Sequence, residues 1–112
     1  MAPAEIYNKA LDLLSRREHS RKELYLKLTK RFESKENINL TLDRLEGNNL
    51  LSDSRFTEEY VKARRTKGFG PVKISIELEK RGVNDSLISK EIDKFDDWES
   101  LAELSFKKRF PD

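Results

Sequence analysis

The 112-residue sequence contains no cysteine, which excludes disulfide cross-links, cysteine-ligated zinc sites and thiol catalysis. Its only histidine is His19, so metal sites built from two histidines, or a histidine base oriented by a second one, are excluded too. No apolar run approaches the roughly 20 residues of a membrane span, and the N-terminus lacks the basic and then apolar pattern of a secretory signal. We therefore expect a monomeric cytoplasmic protein that needs no metal or cofactor and is not an enzyme.

Apolar residues are also scarce. Hydrophobic side chains make up 36% of the chain and charged ones 39%, whereas an average globular domain has only about 25% charged residues. Such a composition favours a thin core and an elongated body with much surface per residue. The charge is unevenly distributed, because residues 16–31 and 62–81 each hold seven basic and two acidic side chains, and residues 85–99 hold six acidic and two basic ones. Two basic surfaces favour a partner that carries negative charge.

The apolar residues recur at three- and four-residue spacing, which predicts seven amphipathic helices. The predicted stripes are, in order, Ile6, Tyr7, Ala10, Leu11 and Leu14; Leu24, Tyr25, Leu28 and Phe32; Ile38, Leu42 and Leu45; Phe56, Tyr60 and Ala63; Ile74 and Leu78; Ile88, Ile92 and Phe95; and Trp98, Leu101, Ala102 and Ser105. Ser20 followed three residues later by Glu23 predicts a capping box at the second helix. The predicted caps of the later helices are Ser52 or Asp53 for the fourth, Asp85 for the sixth and Asp97 for the seventh, and Pro71 is predicted in the first turn of the fifth.

Helices two and five match at an offset of 50 residues. Leu24, Leu28 and Arg31 correspond in this register to Ile74, Leu78 and Arg81. Internal similarity at a fixed period is typical of repeat proteins, in which neighbouring units bury surface between them. We therefore predict an all-α fold of tandem three-helix repeats in an elongated array, with repeat 1 at residues 1–51 and repeat 2 at 52–96. Residues 97–112 would form the first helix of an incomplete third repeat.

Two arginine pairs are the first candidate partner-binding residues. Arg16 with Arg17, and Arg64 with Arg65, close corresponding helices of the two repeats. Arginine forks suit the recognition of phosphates and carboxylates through two parallel hydrogen bonds, so we assign both pairs to partner binding. Further candidates in the second basic stretch are Lys67, Phe69 and Lys73.

The connection from Gly68 to Pro71 resembles a phosphate loop only superficially, since no strand precedes it, and a helix stop before a proline-started helix explains it better. Phe69 within it is either a hydrophobic plug between units or an exposed contact. His19 is interpreted as a solvated linker residue, and Trp98 as part of the core.

An ordered series of motifs resembles the regulatory protein RecX family over nearly the whole chain. The central motifs are Leu50-Leu51-Ser52-Asp53-Ser54-Arg55-Phe56, Arg65-Thr66-Lys67-Gly68-Phe69-Gly70-Pro71 and Ile74-x3-Leu78-x-Lys80-Arg81-Gly82-Val83. Supporting motifs are Leu13-Leu14-Ser15-Arg16-Arg17-Glu18-His19-Ser20 and Asp97-Trp98-x2-Leu101-Ala102.

The resemblance implies a curved array of three tandem three-helix repeats that binds the RecA recombinase and its filament on single-stranded DNA. It further implies that the helical body lodges in the filament groove and inhibits ATP hydrolysis, strand exchange and filament growth. Two alternatives remain open from the residues. One is a helical module that binds single- or double-stranded DNA directly, and the other is a scaffold whose charged faces only keep it in solution.

Overall fold

A computed structural model of the chain describes residues 3–98. Within that range it contains six α-helices and no strand, which confirms the predicted all-α class. The helices are α1 (Pro3–Arg16), α2 (Arg21–Thr29), α3 (Lys35–Gly47), α4 (Asp53–Thr66), α5 (Pro71–Lys80) and α6 (Asp85–Ile92). Helices α4, α5 and α6 each begin 50 residues after α1, α2 and α3, so the predicted repeat is confirmed. The chain forms two compact units, Met1–Phe56 and Thr57–Asp112, whose boundary in sequence falls within α4.

The first unit packs its three helices around an aliphatic core. α1 lies against both α2 and α3, and α2 lies against α3. The buried residues come from the predicted stripes together with the segment that follows α3, and they are Ile6, Ala10, Leu24, Leu28, Ile38, Leu42, Leu45 and Leu51. Each fully buried leucine or isoleucine contributes about 1.5–3 kcal/mol relative to an exposed one, so this set holds the unit together.

Local hydrogen bonds fix the ends of α2 and α3. The Ser20 hydroxyl accepts from the amide of Glu23, whose carboxylate accepts from the amide of Ser20, which confirms the predicted capping box. The hydroxyl of Ser34 accepts in the same way at the start of α3. α2 ends at Thr29, earlier than its predicted stripe, and Phe32 packs on the core from the connection beyond it.

Among its residues up to Trp98, which the structure describes, the second unit has a smaller buried apolar set. Its members are Val61, Ile74, Leu78, Val83 and Ile88. The predicted stripe of α4 is wrong at Ala63, which is exposed, whereas Thr57 and Val61 are buried. Apolar residues are sparse along α4, and alanine gains little from burial, so the sequence defines the inward face of this helix poorly.

Glycine and proline shape the connections of the second unit, and Gly68 and Pro71 do so as predicted. Gly68 and Gly82 have φ angles of 92° and 82°, a left-handed conformation that stops a helix and that glycine adopts without strain. Pro71 occupies the first turn of α5, where no amide donor is needed.

The cap of α6 is one residue earlier than predicted. Asn84 accepts from the amide of Leu87 at 2.9 Å, and Asp85 is the first helical residue. α6 ends at Ile92, before the predicted stripe residue Phe95, and the predicted seventh-helix residues Leu101, Ala102 and Ser105 lie outside the described residues. Among the helices of residues 3–98, none is both long and apolar enough to cross a bilayer.

Candidate partner-binding surface

Arg64 lies at the centre of a polar cluster between α4 and α5 in the second unit. Its Nε donates to Oε1 of Glu77 at 3.0 Å, and its Nη2 donates to Oε2 at 2.8 Å. The Tyr60 hydroxyl donates to the same Oε1 at 2.9 Å. Two parallel charge-assisted hydrogen bonds fix the relative orientation of guanidinium and carboxylate, so this pair ties the last turns of α4 to the middle of α5.

These contacts alter the protonation of the carboxylate. Burial raises the pKa of Glu77, but hydrogen bonds from Arg64 and Tyr60 lower it by more, so the pKa lies below its ordinary value. The pKa of Tyr60 is raised by burial and by its bond to the carboxylate. Glu77 is therefore ionised throughout the neutral range and holds both partners.

Aromatic rings extend the cluster on both sides. The Arg64 guanidinium lies 3.8 Å from the centroid of the Phe69 ring, and the Lys73 ammonium lies 4.8 Å from the same centroid. The guanidinium of Arg81 lies 4.9 Å from the Tyr60 ring centroid. Cations over aromatic faces contribute roughly 0.5–1 kcal/mol at exposed sites. We call this set the α4–α5 cluster, and its members are Tyr60, Arg64, Phe69, Lys73, Glu77 and Arg81.

The cluster brings together three of the predicted site residues: Arg64, Phe69 and Lys73. Phe69 is half-buried against Arg64 and Lys73, within its own unit. Lys73 is exposed at the edge of the cluster, and Lys67 is exposed in the turn that follows α4. Within the second unit, Lys67 and Lys73 are therefore the exposed members of the predicted site, whereas Arg64, Arg65 and Phe69 are half-buried.

Arg65 does not join this cluster, because adjacent positions on a helix point in different directions. Its guanidinium forms an ion pair with Asp97 and lies 4.1 Å from the ring centroid of Phe95 and 5.6 Å from that of Trp98. Trp98 donates to the carbonyl of Ile92 at 3.2 Å, and its ring meets Phe95 edge-on. Arg64 and Arg65 thus contact two separate sets of side chains within the second unit.

The first arginine pair is more exposed. Arg16 sits in the last turn of α1 and reaches Asp12 at 3.3 Å, one helical turn back. Arg17 donates from Nη1 and Nη2 to the two carboxylate oxygens of Glu23, at 3.1 and 3.3 Å. The Arg16–Asp12 pair is exposed and contributes little stability, so the guanidinium of Arg16 can exchange its partner at small cost. Glu23, which holds Arg17, is mostly buried and also caps α2.

His19 is buried, with 1% of its surface exposed, so the interpretation as a solvated linker residue is wrong. Its Nδ1 lies 3.0 Å from the Arg17 carbonyl oxygen and its Nε2 lies 2.8 Å from Nζ of Lys27. An ammonium group only donates, so Nε2 accepts from Lys27 and Nδ1–H donates to the carbonyl, which is the arrangement of a neutral imidazole. Burial lowers the pKa of His19 and also that of Lys27.

Several ion-pair partners were missing from the sequence-based assignment. Glu77 was counted only as a minority charge in a basic stretch, yet it organises the α4–α5 cluster. In the first unit, Nη1 of Arg21 reaches carboxylates of Asp43 and Glu46 on α3. No local spacing signals these pairs, because the partners lie 13 to 25 residues apart along the chain.

Comparison with known proteins shows the family to which the chain belongs. Residues 7–45 match the first three-helix domain of RecX, and residues 52–91 match the second three-helix domain of RecX. The chain belongs to the RecX family of regulatory proteins, which confirms the resemblance seen in the sequence.

Individual relatives carry the same name. Regulatory protein RecX of Pseudomonas savastanoi pv. phaseolicola is 38% identical over 109 residues, which cover 96% of this chain and 70% of the relative. Its counterpart in Pseudomonas putida is 45% identical over 82 residues, which cover 73% of this chain and 53% of the relative. The crystal structure of RecX from Lactobacillus salivarius superposes with a TM-score of 0.81 at 25% identity, over 96% of this chain and 69% of that one. The chain thus spans between about half and 70% of the length of these relatives.

Proposed function

We propose that this protein binds the RecA recombinase, above all its filament on single-stranded DNA, and inhibits it. The observation that carries the proposal is the pair of RecX three-helix domains, which together occupy residues 7–45 and 52–91. In this proposal the helical body lodges in the groove of the filament. A body in that position obstructs strand exchange and slows ATP hydrolysis and filament growth. The protein acts by binding and carries out no chemical step.

The exposure and contacts of the described side chains support different roles for the predicted site residues. Arg16, Lys67 and Lys73 are exposed, so they can meet carboxylates or phosphates of the partner without breaking a buried contact. Arg64 is held by Glu77, and Arg65 lies against aromatic rings. In the proposed function these two arginines stabilise the second unit, and through it they position Lys67 and Lys73.

Co-sedimentation is the direct test. RecA is assembled on a single-stranded oligonucleotide with a slowly hydrolysed ATP analogue, and the chain is added at increasing concentration with and without RecA. We expect the chain to pellet with the filament, and to lower the rate of DNA-dependent ATP hydrolysis when ATP is used instead. A chain that neither pellets with the filament nor changes the hydrolysis rate would contradict the proposal.

Direct DNA binding is the second candidate, and the exposed basic side chains near Arg16 and Lys67 favour it. A DNA-binding module needs no recombinase, and its affinity for DNA falls steeply with salt. For single strands, the slope of the logarithm of the binding constant against the logarithm of the salt concentration is about −0.7 for each phosphate neutralised. Fluorescence anisotropy with a labelled oligonucleotide distinguishes direct DNA binding from recombinase binding. It is measured between roughly 50 and 300 mM NaCl, a range wide enough to resolve that slope. Tight, salt-sensitive binding to DNA alone, with no effect on RecA, supports the second candidate.

A further inference from the structure

Helix α5 presents an apolar strip to solvent. Val72 and Ile76 are 73% and 48% exposed, and they lie one helical turn apart. Single exposed aliphatic side chains are ordinary on protein surfaces, but neighbours at i and i+4 form a continuous apolar strip. The opposite face of the helix already buries Ile74 and Leu78 in the core of the second unit. The outward strip is therefore not needed to hold the unit together.

Two lysines border the strip. Lys73 precedes Ile76 by three residues and Lys80 follows it by four, the two spacings that place side chains next to each other on a helix. Both lysines are exposed and lie on one side of the strip, and the exposed Glu79, three residues after Ile76, lies on the other side. We call Val72, Lys73, Ile76 and Lys80 the α5 patch. It combines an apolar centre with a positively charged border on one side.

The equivalent helix of the first unit carries a related pattern. Leu26, which corresponds to Ile76 in the 50-residue register, is 49% exposed. Lys22 and Lys30, one turn before and one turn after it, are exposed as well. Neighbouring positions of the two helices differ, since Lys27 corresponds to Glu77. An exposed aliphatic residue bordered by lysine thus recurs at the same place in both repeats.

The chemistry of the patch distinguishes among partners. A nucleic acid backbone matches the lysines but gains nothing from Val72 and Ile76, which would lose no apolar surface against phosphates. A protein surface with acidic groups beside an apolar centre matches all four side chains, because it removes the aliphatic area from water and pairs with the ammonium groups. We propose that the α5 patch docks such an acidic, apolar-centred face of the recombinase. This inference rests on the proposed function and adds to it the surface that makes the contact.

The test uses the full chain, RecA filaments on a single-stranded oligonucleotide, and the co-sedimentation assay described above. The variant Val72→Ala/Ile76→Ala removes the apolar centre and introduces better helix formers, so the fold of α5 is preserved. We expect filament affinity to fall at least tenfold, which corresponds to about 1.4 kcal/mol. The matched control is Leu40→Ala, at an aliphatic residue on α3 that is 58% exposed, and its affinity should stay within twofold of the parent.

A charge variant tests the border of the patch. Lys80→Glu should weaken filament binding, and the loss should shrink as NaCl is raised from 50 to 300 mM, because screening reduces a contact between exposed charges over roughly this range. Lys90→Glu on α6 is the control for a change of net charge and should leave binding nearly unaltered. Equal losses for both lysine variants would indicate a general charge effect and would overturn the proposed border.

The outcomes separate this inference from the proposed function. A parent chain that does not bind the filament overturns both. A parent that binds, together with a Val72→Ala/Ile76→Ala variant that binds equally well, overturns the α5 patch alone. Two further results also overturn it: an equal loss of binding to the oligonucleotide without RecA, which would assign the patch to DNA, and a change from dimer to monomer in sedimentation, which would assign it to a second copy of the chain.

Discussion

The two units share a helical plan but differ in the polar contact near the connection between their first two helices. In the first unit, position 19 holds a buried imidazole that accepts from Lys27. In the second unit, the equivalent position is Phe69, which stacks on Arg64, and the equivalent of Lys27 is Glu77, which binds the same arginine. A neutral imidazole and an ion pair thus occupy corresponding places in two units whose helices begin at equivalent positions.

This difference shows that the fold requires the aliphatic core, which both units share, and tolerates different polar contacts. Leu24 and Leu28 correspond to Ile74 and Leu78, and all four are fully buried. Burial of these aliphatic side chains supplies the main stabilisation in both units, because it removes similar apolar area from water. The polar contact adds a smaller amount that depends on its chemistry and on pH. We therefore expect the loss of a core side chain to cost more stability than the loss of the polar contact.

The largest effect is expected from truncating equivalent core residues. Leu28→Ala and Leu78→Ala should each lower the free energy of unfolding by about 2–5 kcal/mol, because each leaves a cavity in a fully buried site. Urea unfolding followed by circular dichroism measures the loss, and the fluorescence of Trp98, the only tryptophan, reports on the second unit. A cost below about 1 kcal/mol in one unit would show that its core is not the main source of its stability.

An intermediate effect is expected from the ion pair of the second unit. Glu77→Gln should lower the free energy of unfolding by about 1–3 kcal/mol, because Arg64 and Tyr60 lose the charge of their shared acceptor. The matched control is Glu79→Gln, an exposed carboxylate on the same helix, which should change stability by less than about 0.5 kcal/mol. Similar values for the two variants would mean that the α4–α5 cluster does not stabilise the unit.

The same pair gives a pH dependence of known sign. The pKa of Glu77 is lower in the folded state than in the unfolded chain. Its contribution is therefore complete above the unfolded pKa, roughly 4.3, and is lost as pH falls through the folded value. Glu77→Gln should lack this acid-side loss.

A smaller, pH-dependent effect is expected from His19 in the first unit. Because burial lowers its folded pKa, the unfolded chain binds more protons just below the ordinary pKa of about 6.5. Stability should therefore fall as pH drops from about 6.5 towards the folded pKa, by at most about 1.4 kcal/mol per pH unit. His19→Phe, which introduces the residue found at position 69, should abolish this slope in melting experiments between about pH 7.5 and 5. An unchanged slope would assign this loss of stability to another titrating group. The control is Glu77→Gln, which should retain the slope between about pH 7.5 and 5.

Most of the helical framework could be predicted from local signals. Ser20 with Glu23 marked the start of α2, and Pro71 marked the start of α5, because caps and first-turn prolines act within one turn of a helix. Where local signals compete, the prediction failed by one residue: Asn84 and Asp85 are both good caps, and only the structure shows that Asn84 accepts the bond.

The candidate site was harder to predict, because its contacts join residues far apart in sequence. Arg64 was correctly placed in a basic stretch, but its bond to Glu77 depends on how α4 packs against α5. His19 was misinterpreted because a polar residue between helices usually faces solvent. The 50-residue register contained the missing signal, since the equivalent residue is Phe69, whose apolar ring indicates a sheltered position.

The smallest effect is expected where the two units differ in a helix cap. Ser20 accepts from the amide of Glu23 at 3.1 Å, whereas the equivalent Gly70 has no side chain with which to cap α5. Gly70 has φ −86° and ψ 171°, an extended conformation open to any residue, and a Cβ atom there would meet nothing within 4 Å. Gly70→Ser should therefore raise the free energy of unfolding by about 0.5 kcal/mol, through a new cap to the amide of Lys73 and a less flexible unfolded chain. Ser20→Gly, the reciprocal change, should lower it by a similar amount. Urea unfolding at constant m-value measures both, and a destabilised Gly70→Ser would show that glycine is needed at this position for a reason other than capping.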